Sequence, residues 1–519
     1  CLVGSEMCIR DSLFSRKHGD LERDYNFFSL EPSKYSQGNG NYRDVNQNRR
    51  NDVIMNPEVK DFNVWMFYNL VQADGYNPLS IKGTTFTVEE ADMSSLIKRL
   101  KDINIQTDLT NSIITFARES FTPGSLSNFL EGLGCENQQV FDTVLEQGTQ
   151  AIDVDFGEGF WSDHFTYNLD LVESYRYMYP DEMDVLLFQR MDYKFYNAPY
   201  SVLPRGLKYG LNESGQVRQY EAIIKKEVYE NKWLQDPSGQ PIQTNLFNKM
   251  LILSLTKFMN IDAFGMGIEM EGERPGWNDA LNGLPGLFGS GMSETVELKR
   301  CLDFLLNVVE ESAAERPFIE VLSDVEGLIP LIQGVLSDKV NAFQQWDRLN
   351  EIKENYREKT GNVYNDEVIE VPIKVLKMLL TQMLEVLKTG IAKAKVIGEG
   401  VLPSYFVNEV TEYELTGQKT HYGLDGVKVK SFSHRVLPLF LEEPARYMKT
   451  LTGEEAKDLH TAVTASNIYD RPLGMYKTSE SLDSETMEIG RIRAFTPGWL
   501  ERESVFLHMT CLLYTSPSP

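Results

Sequence analysis

Apolar residues recur at helical spacing along most of the chain. Asn56-Pro57-Glu58 is a helix start, with a cap, a proline in the first turn and an early acid. Val59, Phe62, Trp65, Met66, Asn69 and Leu70 then follow at amphipathic positions. Further helices are predicted over Val88–Asp102 and Leu126–Gln147, and from a Ser162/Asp163 cap to about Tyr179 with Phe165, Leu169, Val172 and Tyr175 inward. Later patterns predict helices near Ser293–Glu311, Gly327–Leu336, Asp338–Lys359 and Pro372–Lys395. The last shows the clearest apolar face, from Val375 to Leu387. Residues 13–56 and 204–241 read as long irregular loops, and Val427–Ser433 alternates like a short strand. The expectation is a mainly α domain. Periodicity alone leaves an array, a bundle and a ring open.

One stretch breaks this rhythm. Glu271–Glu294, E-G-E-R-P-G-W-N-D-A-L-N-G-L-P-G-L-F-G-S-G-M-S-E, is too rich in Gly and Pro for a regular helix or a central strand. It lies between the helical patterns of Leu246–Phe258 and Leu298–Val309. Trp277, Asn278 and Asp279 stand in a row on it, and together they suit a sugar: an indole face for stacking, an amide for hydroxyls, a carboxyl for proton transfer. The other reading is a surface loop whose tryptophan is merely packed.

Composition narrows the partners. The net charge is −25, which argues against nucleic acid or an anionic membrane and leaves neutral sugars open. Any phosphate site must then be a local positive pocket. Both ends look foreign: Leu2–Ser12 and Cys511–Pro519 resemble the translation of a transposon sequencing adapter and of its complement. Set aside as 1–12 and 511–519, they leave a native segment of 13–510, an internal fragment truncated at its C-terminal side. Without Glu6, Arg10 and Asp11 that segment carries −24. Only Cys135 and Cys301 remain in it, which makes no disulfide framework or zinc cluster and suits a reducing, cytoplasmic compartment. An upstream signal peptide stays open. No apolar run reaches membrane-spanning length, and no Walker, Rossmann, H-E-x-x-H, C-x-x-C or G-x-S-x-G motif is present.

Four stretches together carry a family resemblance. W-N-D, glycines and S-E resemble the D-W-N-D-G-(M/L)-N … G-E-S signature of cellobiose phosphorylase-like enzymes, inverting glycoside phosphorylases of β-linked glucans. Gly276 stands where that signature has Asp, which points toward the β-1,3-glucan branch. Gly40–Asn48 resembles the family's G-Y-R-D-S-N-Q-D, with Asn48 in place of the last Asp. Phe160-Trp161-Ser162-Asp163 resembles F-S-D-D-P-L-W-L. Phe495–Glu501 and Phe506-Leu507-His508 resemble F-P-P-G-T-K-E-N-G-G-I-F-C-H with the Glu-to-His spacing kept, although N-G-G is replaced by Arg502-Glu503-Ser504. Taken singly, a solvated turn, a helix cap and a structural histidine are the plainer readings of the last three.

The resemblance implies an (α/α)6 barrel with long active-site loops, and it assigns roles by position. Asp279 is the general acid. Arg43, Asp44, Gln47, Trp161, Asp163, Trp277, Asn278 and Glu501 bind substrate, and His508 binds phosphate. Arg502 is an added phosphate ligand by charge alone. The expected reaction is phosphorolysis of β-1,3- or cellobiose-type gluco-oligosaccharides to α-glucose 1-phosphate, a glycosyltransferase reaction. It needs no cofactor and no metal; inorganic phosphate is the co-substrate. A homodimer is left open, and no nucleic-acid or membrane partner is expected. The alternatives are an inverting hydrolase using Glu273, Asp163 or Glu501 as base, and a non-catalytic glucan-binding relative.

Overall fold

The computed structural model describes residues 40–361 and 363–515, so the expectations for 1–12, for the loops up to residue 39 and for 516–519 lie outside the described residues. Helix makes up about 48% and strand about 19%. Helix dominates as expected, yet far more strand is present than the one segment that alternation marks. The described residues form two compact units. One comprises residues 40–70, Pro78–Glu158 and Tyr167–Leu186; the other comprises Val71–Asn77, Gly159–Thr166 and residues 187–515.

In the first unit, β1 (Gly40–Asn41) leads directly into α1 (Tyr42–Arg49), where a loop is expected. Asn41 caps α1 by accepting from the Arg43 amide at 2.9 Å. The Asn56 start opens only a 3-10 turn (Pro57–Val59), which Lys60 ends at φ +48°, and helix α2 (Phe62–Asn69) begins after it, so the one predicted helix is two pieces. Strands β2 (Ser80–Thr87) and β3 (Thr149–Asp155) complete an antiparallel sheet in the order β1-β2-β3. Between them run α3 (Glu90–Asp102), α4 (Thr107–Ala117), α5 (Pro123–Gly132) and α6 (Gln138–Gln147). The single helix expected over Leu126–Gln147 is two, because Gly134 turns the chain at φ +67°. Leu96, Leu100, Ile113, Leu126, Leu130, Val140 and Val144 form the core of these helices. Helix α7 (Asn168–Met178) closes the unit. Its Asn168 accepts from Tyr42 Oη at 3.1 Å and Asn46 Nδ2 at 2.5 Å, which fixes the inner face of α1.

The second unit is built on a six-stranded antiparallel sheet. Its order is β5-β4-β11-β10-β7-β6, from β4 (Tyr209–Leu211), β5 (Val217–Gln219), β6 (Ile268–Glu269), β7 (Gly289–Gly291), β10 (Tyr405–Lys419) and β11 (Asp425–Val436). The expected strand Val427–Ser433 lies inside β11. Its partner β10 has the same period-2 signal, in Glu412-Tyr413-Glu414-Leu415. A separate ribbon pairs β8 (Phe318–Leu322) with β9 (Val368–Pro372).

Helix α8 (Leu246–Phe258) is buried along its entire length. Helix α9 (Met292–Ser312) packs on it and on α12 (Ile373–Ile397), and α10 (Leu328–Ser337) packs on α11 (Ala342–Thr360) and α12; each of the four lies within a few residues of its predicted span. Then come α13 (Glu442–Met448), α14 (Gly453–Ala465) and α15 (Leu507–Thr515). The C-terminal end set aside as foreign nonetheless packs in its described part: Leu512 and Leu513 are buried with Met509 against Leu441 and Met448. Adjacent leucines on a helix bury apolar surface whatever their origin. Among the described residues no helix is long and apolar enough to cross a membrane.

Two helical glycines separate packing from propensity. On α12, a Cβ at Gly390 would overlap the Gly265 carbonyl, whereas one at Gly334 on α10 would meet nothing. Gly390→Ala should cost about 1–3 kcal/mol, and Gly334→Ala should gain about 0.4–1 kcal/mol. Urea midpoints of the two variants check this; equal shifts would contradict the close helix–turn approach.

Candidate functional site

The Gly- and Pro-rich stretch forms the centre of the second unit. It runs from β6 through short 3-10 turns at Asp279–Leu281 and Leu284–Leu287 to β7 and α9. Asn278 caps the first turn, its Oδ1 accepting from the Ala280 amide at 3.2 Å. This starts a turn at Asp279 and leaves its side chain half-buried while Asn278 is fully buried. Trp277 is 7% exposed and meets Phe506 edge-on at 5.5 Å. Its ring is part of an apolar cluster with Val401, Leu441 and Met448.

Three of the four motif stretches meet here. The Phe160 amide donates to the Gly272 carbonyl at 2.9 Å, and the Ser162 amide to the Pro275 carbonyl at 3.3 Å. Trp161-Ser162-Asp163 therefore runs beside the central loop. Asp163 is fully buried, and Trp161 stacks parallel to His164 at 5.7 Å. From the C-terminal side, Ile489, Ile492 and Phe495 pack on Ala280, Leu281 and Leu284. The Glu501 carbonyl accepts from Thr478 Oγ1 at 2.8 Å. His508 lies in the first turn of α15, two residues after the Phe506 that touches Trp277. Arg502 is not placed as a phosphate ligand. Its guanidinium donates to the Phe495 and Arg493 carbonyls and pairs with Asp483. In the first unit, Arg43, Asp44 and Gln47 sit on α1, with Arg43 and Asp44 buried and joined at 3.4 Å.

The loop holds two buried carboxylates in opposite surroundings, neither assigned a role from sequence. Glu271 accepts from Arg357 at 2.6 Å, Lys353 at 3.0 Å, Lys208 at 3.4 Å and Tyr76 Oη at 3.2 Å. Burial alone would raise its pKa, but Arg357, Lys353 and Lys208 outweigh burial and hold it well below the usual range. Nearby Glu269 accepts from Trp346 Nε1 at 2.8 Å, and burial pushes it up to about 7 against the pull of Lys353.

Glu294 has no such ring of cations. Its Oε1 accepts from Ser162 Oγ at 3.2 Å, and Oε2 has no partner among the described residues. Burial, then Glu442 and Asp163, raise its pKa to about 8. It also fills the space beside two glycines of the loop. A Cβ on Gly276 would stand 2.5 Å from Glu294 Oε1, and one on Gly291 closer still to Oε2. The space an aspartate at 276 would need is filled by a carboxyl from 18 residues further on. Below it, Glu297 is held down to about 2: burial would raise it, but Arg300, Lys449 and Arg446 prevail. Spacing gives no sign of these roles, because Glu294 and Glu297 look like ordinary acids at the start of a helix.

A cavity of about 700 Å³ lies elsewhere in this unit, with Asp74, Tyr196, Tyr200, Lys226 and Arg357 on its wall. It reaches the Glu271 cluster through Arg357, and Asp279 is not among its lining residues. Among the described residues no group of three His, Cys, Asp or Glu side chains has the arrangement of a metal site.

A carboxyl with a raised folded pKa favours the native state at low pH. That advantage is lost as pH rises from the unfolded value near 4.5 through about 8. Glu294→Gln keeps the shape and removes the titration. The variant should lose less stability than the parent between pH 5 and 8 in denaturant melts. Parallel pH profiles would contradict the assignment.

No family model matches the chain, and no curated protein matches it.

Proposed function

We propose that the chain catalyses inverting phosphorolysis of β-linked gluco-oligosaccharides, of β-1,3 or cellobiose type, to α-glucose 1-phosphate. The observation that carries this reading is the meeting of three sequence-distant motif stretches, residues 160–163, 271–294 and 495–508, around one loop. Asp279 is its half-buried acid, whereas Glu294 and Asp163 are fully enclosed. A general acid must reach the glycosidic oxygen, and among these three only Asp279 has the exposure for it.

In the proposed reaction a phosphate oxygen attacks the anomeric carbon from the face opposite the leaving sugar. The glycosidic C–O bond breaks, and the Asp279 proton passes to the departing oxygen. Phosphate is already anionic and needs no general base. His508 is the proposed phosphate contact and an (α/α)6 barrel the proposed frame, in a cytoplasmic enzyme without a cofactor. A hydrolase would need a second carboxylate about 6.5–9.5 Å from the acid to activate water. Of those weighed for it, Asp163 is fully buried and Glu273 accepts from the Ile223 amide at 3.0 Å. A non-catalytic glucan binder would have no use for a half-buried acid on this loop.

The test runs the reaction in reverse, with glucose 1-phosphate and a panel of β-gluco-oligosaccharide acceptors. Phosphate release with at least one acceptor is expected; none with any acceptor overturns the proposal. Asp279→Asn should lower kcat by about 10²–10⁴ while the acceptor KM stays within a few-fold, the pattern of an interaction made in the transition state. Near-normal turnover in this variant would remove Asp279 as the acid.

A further inference from the structure

Glu294, in the first turn of α9, is fully buried, and its carboxyl lies against the stretch that precedes the helix. Its two oxygens face different glycines. A Cβ on Gly276 would meet Oε1 at 2.5 Å, and one on Gly291 would meet Oε2 closer still. Gly276 and Gly291 bound the stretch that carries Trp277, Asn278 and Asp279. Oε1 also accepts from Ser162 Oγ at 3.2 Å, and the Ser162 amide donates to the Pro275 carbonyl at 3.3 Å. One carboxyl therefore touches both ends of this stretch and the 160–163 segment beside it.

The far side of the loop is anchored differently. Ala280, Leu281 and Leu284 pack with Ile489, Ile492 and Phe495, and the Gly283 amide donates to the Ile489 carbonyl at 3.2 Å. Asp279 lies between this apolar anchor and the Glu294 contact, three residues after Gly276. Rotation of the backbone at Gly276 would swing the Asp279 carboxyl, and glycine restrains its own backbone least. A buried side chain packed against it takes that freedom away. Burial, then Glu442 and Asp163, raise the Glu294 pKa to about 8. Near neutrality it is thus an uncharged group, which an amide of the same shape can replace.

We propose that Glu294 is a positioning residue for the reaction above: by clamping Gly276 to Gly291 and Ser162, it sets the direction of the Asp279 carboxyl. Being fully enclosed, it acts through Asp279 and not on the substrate. The inference rests on the phosphorolytic reading for the role of Asp279, whereas the clamp itself is measurable without turnover.

The test compares two leaving groups in the full chain, with phosphate present. A gluco-oligosaccharide needs a proton on its departing oxygen, whereas a dinitrophenyl β-glucoside releases a stable phenolate and needs none. Glu294→Ala should lower kcat on the oligosaccharide about 10²-fold, the loss typical of a displaced catalytic group, with KM within a few-fold. On the aryl glucoside it should stay within a few-fold of the parent. Glu294→Gln should hold the oligosaccharide rate within a few-fold. Gly276→Ala should act like Glu294→Ala in the parent and cost less in the Glu294→Ala background, where the space is free. Hydrogen exchange at amides 276–282 should quicken in Glu294→Ala and not in Glu294→Gln. If Glu294→Ala does not fold, Gly276→Ala carries the same comparison. Equal losses on both substrates, or unchanged exchange, overturn the positioning role. Quickened exchange with no turnover of any glucan by the parent would keep the clamp and sink the phosphorolysis. Parent turnover with equal losses on both substrates would do the reverse.

Discussion

A single buried carboxylate, Glu271, gathers the second unit. Its partners come from three parts of the chain, Tyr76 from the 71–77 turn, Lys208 beside β4, and Lys353 and Arg357 from α11, and bind the central loop that carries Glu271 itself. Trp346, Lys353 and Arg357 fall on one face of α11 because they are spaced by seven and four residues, and that face also supplies the donor to Glu269. Taking so many charges out of water is costly. Removing one partner would strand the others, typically at a cost of about 3–5 kcal/mol. The cluster is therefore better read as a device that fixes the loop in one arrangement than as a net source of stability.

The same loop ends in a carboxyl with the opposite environment. Glu271 is ionised by its neighbours, and Glu294 is kept protonated by burial and by Glu442 and Asp163. Two carboxyls on one loop are thus driven to opposite protonation states by their surroundings. Glu294 also explains the glycines around it. Gly276 and Gly291 leave room for its carboxyl, so the loop's sequence is shaped by the buried group rather than by flexibility.

The long amphipathic helices were legible in the sequence. Residues 293–311 and 372–395 are helical nearly as their apolar periodicity predicts, since a stripe facing a core is a strong signal. The sheet was not legible. β4 to β7 are two or three residues long and carry no measurable period; β4 and β7 are strands through pairing with β11 and β10, and β5 and β6 through pairing with β4 and β7. Helix α1 was hidden for a different reason: its inner face is Tyr42, Asn46 and Arg49, a hydrogen-bonded face in place of an apolar one. Of the candidate site, the loop with Trp277, Asn278 and Asp279 was legible by its turn residues and chemistry. Glu271 and Glu294 were not, because their roles depend on charges brought in from elsewhere in the chain.

The chemistry proposed for this loop is phosphate-dependent cleavage of a β-glucan, with Asp279 as the acid. The most direct measurement follows the anomeric protons and the phosphorus signal by NMR while the protein acts on a β-1,3-gluco-oligosaccharide. With phosphate present, the α-anomer of glucose 1-phosphate should be the first product, and without phosphate no cleavage should occur. Free reducing sugar formed at the same rate with and without phosphate would contradict the account.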